Sequence, residues 1–171
     1  MYENQIITEP KWKSWIVQTT TPLFTPDQCR KIIEAGRSQP PQQAQVGMNR
    51  PEGGTDTKKR VTTISWIPFN EMQHMYQDLN KFIQKCNENH FGFGDIRITE
   101  NAQFTEYPEG GFYDWHMDCD VNMQHEPPVR KISMTLLLND PSEFEGGDLE
   151  LMAPGKFAQS LVCWFGGKPF R

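Results

Sequence analysis

His116 and Asp118, inside the run Phe112-Tyr113-Asp114-Trp115-His116-Met117-Asp118, are the residues of this chain best suited to chemistry. Alternate side chains of a β-strand point to one face. An imidazole and a carboxylate two residues apart are then presented side by side, about 7 Å apart at the backbone. Two such groups can converge on one metal ion. A third ligand from another strand would complete the two-histidine, one-carboxylate facial set that holds Fe(II) for oxygen chemistry. The bland alternative is an exposed turn whose His and Asp share only solvent, and a bare H-x-D is too common to decide between the two.

The elements that must position this pair can be read along the chain. Thr25-Pro26-Asp27-Gln28 predicts a helix start, with Thr25 as N-cap, Pro26 at the first helical position and Gln28 closing a capping box. Cys29, Ile32 and Ile33 form its core stripe, and Gly36 is a natural stop. A polar loop rich in Pro, Gln and Gly follows over residues 38–57, and residues 61–66 have strand composition. Met72, Met75, Leu79, Phe82, Ile83 and Cys86 recur at helical spacing, with Asn70 as a candidate cap and His74 and His90 as ordinary surface histidines. Near Gly94 the texture changes to strands. One long strand is expected over residues 98–107, then a turn at Pro108-Glu109-Gly110-Gly111 and a strand over 112–118 carrying the pair. Strands over 131–138, 148–152 and 159–165 complete the pattern, with Ser133, Thr135 and Leu137 on one face and a turn at Asn139-Asp140-Pro141-Ser142. The strands are expected to be antiparallel. The fold class this predicts is α+β: a double-stranded β-helix (jelly roll, cupin-like) braced by N-terminal helices. All 171 residues form one domain, helical over about 20–95 and β over about 96–171.

Composition narrows the function. The net charge of −5 argues against a nucleic-acid partner, and the short run Lys58-Lys59-Arg60 reads as a solvated face. No stretch is apolar enough to span a membrane, and Met1-Tyr2-Glu3-Asn4 does not open a signal peptide. Cys29, Cys86, Cys119 and Cys163 are widely spaced without C-x-x-C, which fits a reduced, cytoplasmic protein.

Tyr107-x-x-Gly110-x-x-Tyr113-x-x-His116-x-Asp118 resembles the metal-strand signature of the prolyl-hydroxylase-like 2-oxoglutarate/Fe(II)-dependent dioxygenases. The runs from Arg130 to Asp140, from Glu145 to Leu151 and from Ser160 to Phe165 resemble later strands of its bacterial and phage-type branch. The resemblance covers residue 98 to the C-terminus. It implies an oxidoreductase that uses Fe(II), 2-oxoglutarate as co-substrate and O2, with ascorbate as an accompanying reductant, to hydroxylate a protein or peptide side chain, proline among the candidates. It further implies His116 and Asp118 as metal ligands, and Tyr107 and Thr135 as residues lining the 2-oxoglutarate pocket. Tyr113, three residues before the histidine, should point away from the metal face and pack beneath the site.

The chain departs from that pattern at one place. The family has a second histidine after the Gly-Gly strand and an arginine or lysine about ten residues later, which pairs with the far carboxylate of 2-oxoglutarate. Here no histidine follows His125, and about twenty residues, one whole strand included, are absent between Met152 and Ser160. Lys156 is the nearby cation with suitable strand parity and the candidate replacement base. Three explanations remain open: a segment omitted from this sequence, a deletion that kept the fold, or another third ligand, for which His125 and Asp120 are candidates. Two function classes follow. One is the dioxygenase. The other is a catalytically impaired jelly-roll module that keeps the fold and binds a partner through the 38–57 loop. A cupin-like protein using another metal is a weaker third.

Overall fold

The computed structural model describes residues 16–44, 58–116, 118 and 130–150, and the backbone of the strand Leu161–Phe165. Its first strand, β1, is Ile16–Gln18. Helix α1, Pro26–Ser38, begins as the sequence predicts: Thr25 Oγ1 accepts from the Gln28 N–H at 3.3 Å, and Gln28 Oε1 accepts from the Thr25 N–H at 2.8 Å. Gly36 is not its stop. The helix runs two residues further, to Ser38, and ends ahead of Pro40-Pro41, where proline disfavours helical geometry in the residue before it. Gly36 is instead a point of close approach. A Cβ there would overlap the Phe104 ring, and the Gly36 carbonyl accepts a buried hydrogen bond from Ser65 Oγ at 2.6 Å.

Strands β2 (Gln42–Gln43), β3 (Arg60–Val61) and β4 (Thr63–Ile67) come next, followed by α2, Gln73–Cys86. Asn70 does not cap α2. Met72 occupies the cap position without a side-chain hydrogen bond. Tyr76 ties the helix to the sheet instead: its hydroxyl donates to the Ile67 carbonyl at 2.5 Å and accepts from the Ala102 N–H at 2.6 Å. The helix continues into a π-helical turn, Asn87–Phe91. There the buried Asn87 amide clamps Phe93 by bonds of 3.0 Å to its carbonyl and 2.9 Å from its N–H. His74 and His90 are exposed. Strands β5 (Ala102–Glu106), β6 (Phe112–Tyr113), β7 (Ile132–Leu136) and β8 (Leu161–Phe165) follow, and a 3₁₀ turn, Pro141–Glu143, is capped by the Asp140 carboxylate.

β2, β4 and β5 form an antiparallel sheet, with Ser65 opposite Phe104 and Ile67 opposite Ala102. Both helices share a core with it, built from Phe24, Ile32, Ile67, Met75, Tyr76, Leu79 and Phe104. β3 and β6 form an antiparallel ribbon, and β1, β8 and β7 a second three-stranded sheet. This last sheet corrects the antiparallel expectation: β8 runs parallel to both neighbours. Parallel neighbours need a long crossover, and β7 and β8 are far enough apart in the sequence, from Leu136 to Leu161, to allow one. The strand expected over 98–107 is confined to β5, and residues 148–150 are irregular. The structure is thus mixed helix and sheet, compatible with the α+β class that the sequence predicts. Neither Cys29 nor Cys86 is in a disulfide. Among the described residues no helix is long and apolar enough to cross a membrane.

Candidate metal centre

The strand that carries the candidate pair stops earlier than its composition predicts. β6 ends at Tyr113, and the chain bends at Trp115. The Asp114 N–H donates to the Lys59 carbonyl at 2.8 Å, and its carboxylate accepts from the Trp115 N–H at 2.8 Å. Such local side-chain bonds compete with a strand ladder. The tight turn before β6 fits a type II turn: Gly111 N–H donates to Pro108 O at 2.8 Å, and Gly110 takes φ +71°, which only glycine adopts freely.

Beyond Asp114, strand alternation no longer governs, yet His116 and Asp118 still meet. His116 Nε2 lies 3.2 Å from Asp118 Oδ1. His116 Nδ1 lies 2.8 Å from the Asp114 carbonyl, which can only accept, so Nδ1 carries a proton. This is the outer hydrogen bond that fixes the tautomer of metal-binding imidazoles and leaves Nε2 for the ion. First-row metals bind N and O at about 2.0–2.2 Å, so two ligands at right angles stand about 3 Å apart. The separation of 3.2 Å matches that edge. The donor set, borderline imidazole plus hard carboxylate, suits Fe(II).

The two groups shift each other's titration in opposite directions. The Asp118 carboxylate raises the His116 pKa above the ordinary imidazole value, and the Asp114 carbonyl reinforces this against burial and Arg60. The Asp118 pKa is lowered, chiefly by its bond to His116 and further by Ser133 and Arg130, against burial. Ser133 Oγ is closed to solvent and has no hydrogen bond of ordinary geometry among the described residues, although it is near enough to Asp118 to act on it. Arg130 fixes the backbone here, donating to the Asp118 carbonyl at 3.0 Å and to Glu100 Oε2 at 2.7 Å.

Tyr113 does not point away from the pair. Its ring stacks on the His116 imidazole, with centroids 3.5 Å apart and planes 11° apart. It does pack beneath the site as expected, but the expected direction away from the pair fails because strand parity does not continue past the bend at Trp115. Arg60 is paired directly across the ribbon from Tyr113, and its guanidinium lies 4.3 Å from the centre of that ring. Tyr107 belongs to the same group. It is half-exposed, and its phenol pKa is raised by burial and by Tyr113 while Arg60 opposes. Thr135 lies exposed on β7, on the face it shares with Ser133. Lys156, His125 and Asp120 lie outside the described residues. Among the described residues no third His, Cys, Asp or Glu joins the pair.

Four contributors were not legible in the sequence: the Asp114 carbonyl, Ser133, Arg130 and Arg60. Arg60 belongs to the run Lys58-Lys59-Arg60, whose composition reads as a solvated face, and the signal that sets it apart, its register against Tyr113, is a tertiary fact.

Residues 102–167, under half of the chain, match the family described as the 2OG-Fe(II) oxygenase superfamily. The match spans β5 to β8 and includes His116 and Asp118, and it supports a member of that superfamily, with the Fe(II) and 2-oxoglutarate the family implies. No curated protein and no solved structure matches the chain.

Proposed function

We propose that this chain is an Fe(II)- and 2-oxoglutarate-dependent dioxygenase of the prolyl-hydroxylase-like type, acting on a protein or peptide side chain. The superfamily match supports oxidoreductase and dioxygenase activity in general. The observation that carries the finer reading is the His116–Asp118 pair, spaced as two neighbouring ligands with Nδ1 already engaged by the Asp114 carbonyl. Bound there, Fe(II) would supply the oxygen chemistry that converts 2-oxoglutarate, O2 and substrate into succinate, CO2 and hydroxylated product. The protein's own groups hold His116 flat against Tyr113, keep Asp118 ionised and orient both toward one point. Exposed Phe112, Trp115 and Tyr107 around the pair offer an apolar surface to a peptide, in keeping with a macromolecular substrate.

A second reading, an impaired jelly-roll module, is favoured by the sequence alone, since no histidine follows His125. The test is Mn(II) binding by the 171-residue chain and by His116→Ala, followed by succinate release with Fe(II), 2-oxoglutarate and ascorbate. Metal binding lost in His116→Ala, with succinate formed by wild type, supports the enzyme. Metal binding without succinate supports the impaired module. Binding indifferent to His116→Ala refutes the proposed centre.

A further inference from the structure

Arg60 is held in place by groups that leave its charge unmatched. Its Nε donates to Thr62 Oγ1 at 2.8 Å, and its second terminal nitrogen donates to Gln103 Oε1 at 3.0 Å. Both acceptors are neutral. The guanidinium face rests on Tyr113, and among the described residues no carboxylate pairs with it. Two other arginines that reach across the fold differ in this: Arg130 is paired with Glu100, and Arg37 with Glu106. A partly buried arginine fixed by two side chains and a ring, with no anionic partner among the described residues, is available to an anion from outside. A cavity of about 350 Å³ opens beside it, lined by Pro41, Gln42, Arg60, Thr62 and Pro108 among others.

Its location says which anion. Arg60 and His116 both lie against the Tyr113 ring, the guanidinium carbon 4.3 Å and the imidazole centre 3.5 Å from its centre. The guanidinium is thus one aromatic ring away from the imidazole that would hold the ion. The co-substrate of the proposed reaction is a dianion with its two carboxylates at opposite ends. When one end chelates at the pair, the other needs a charge-assisted partner.

We propose, resting on the dioxygenase reading, that Arg60 on β3, buttressed by Thr62 and Gln103, receives the far carboxylate of 2-oxoglutarate. Tyr107 shares Arg60's electrostatic neighbourhood. The cation would thus come from a strand N-terminal to the metal residues rather than from the last strand.

The experiment is isothermal titration of the 171-residue chain in saturating Mn(II) with 2-oxoglutarate and with 2-oxopentanoate, which has the same 2-oxo acid head and no far carboxylate. Wild type should bind 2-oxoglutarate about tenfold or more tightly than 2-oxopentanoate, given the usual strength of hydrogen bonds to charged groups. Arg60→Met, which keeps an unbranched side chain over Tyr113, should bind both alike, with the loss confined to 2-oxoglutarate. Arg60→Lys, charged without the planar fork, should fall between them. The wild-type comparison of the two acids does not depend on any variant folding. Equal wild-type affinities overturn the proposal, as does a preference that survives Arg60→Met; both leave the dioxygenase reading standing. Absence of any 2-oxo acid binding by metal-loaded wild type overturns the proposal and that reading together.

Discussion

Metal and proton compete for one position in this site, and the competition fixes how binding should vary with pH. His116 Nδ1 is committed to the Asp114 carbonyl, so the proton that must leave is the one on Nε2, facing Asp118. The Asp118 pKa is lowered and the His116 pKa raised, so across neutral and mildly acid pH the carboxylate is already ionised and only the imidazole titrates. Above the His116 pKa, Mn(II) affinity should be level. Below it, each pH unit should weaken apparent affinity about tenfold, because one proton is released per ion bound. Because the shift is upward, the decline should begin at a higher pH than the ordinary imidazole pKa of about 6.5. Mn(II) titrations from pH 5 to 9, followed by electron paramagnetic resonance, give the slope. Calorimetry in two buffers of different ionisation enthalpy counts the protons. Asp118→Asn should weaken binding throughout and move the onset of the decline to lower pH, since the largest cause of the raised His116 pKa is gone. Affinity unchanged between pH 8 and pH 5, or release of two protons, would refute the arrangement in which Nδ1 is anchored and Nε2 faces the ion.

The same pair gives the metal-free chain a shallow pH optimum. The His116 contribution to stability is present below its unfolded pKa and lost as pH rises through its raised folded value. The Asp118 contribution is present above its unfolded pKa and lost as pH falls through its lowered folded value. Chemical denaturation should therefore show a maximum between the two, of no more than about 1 kcal/mol because both side chains are over a third exposed, at 37% and 36%; a monotonic profile would count against it. Tyr113→Leu removes the ring beneath His116 while leaving an apolar side chain on β6, and should weaken Mn(II) binding by up to about tenfold, as loss of outer-shell support does, with little change in unfolding midpoint. Gly36→Ala forces a methyl into the Phe104 ring, and should destabilise the chain by about 1–3 kcal/mol in urea without altering metal binding; a neutral result would mean that α1 and β5 are not in the contact described.

The parts of this structure legible in the sequence are those decided by local chemistry. The Thr25–Gln28 capping box, the core stripe of α2 and the glycine turn before β6 each depend on residues within a few positions of one another. What escaped is decided by partners far along the chain. Gly36 looked like a helix stop because glycine favours that role, but Phe104, brought over by β5, explains it. Arg60 looked solvated because its partners, Tyr113 and Gln103, lie more than forty residues away. Tyr113 was assigned to the wrong face because Asp114 breaks the alternation by a bond to the next residue, a competition that composition does not decide.

β7 and β8 are parallel, with Ile132 against Leu161 and Leu136 against Phe165, and among the described residues no strand lies between them in the sequence. The family resemblance calls for one more strand between Met152 and Ser160 than the chain contains, and with it the second histidine and the usual base. Restoring a strand of about twenty residues carrying a histidine and an arginine should then act on fold and site alike. Hydrogen exchange should report altered protection across β7, and succinate formation with Fe(II) and 2-oxoglutarate should rise well above that of the 171-residue chain. Equal succinate formation by the two chains would show that the shorter one already has its third ligand, and His125 and Asp120 would be the first residues to substitute.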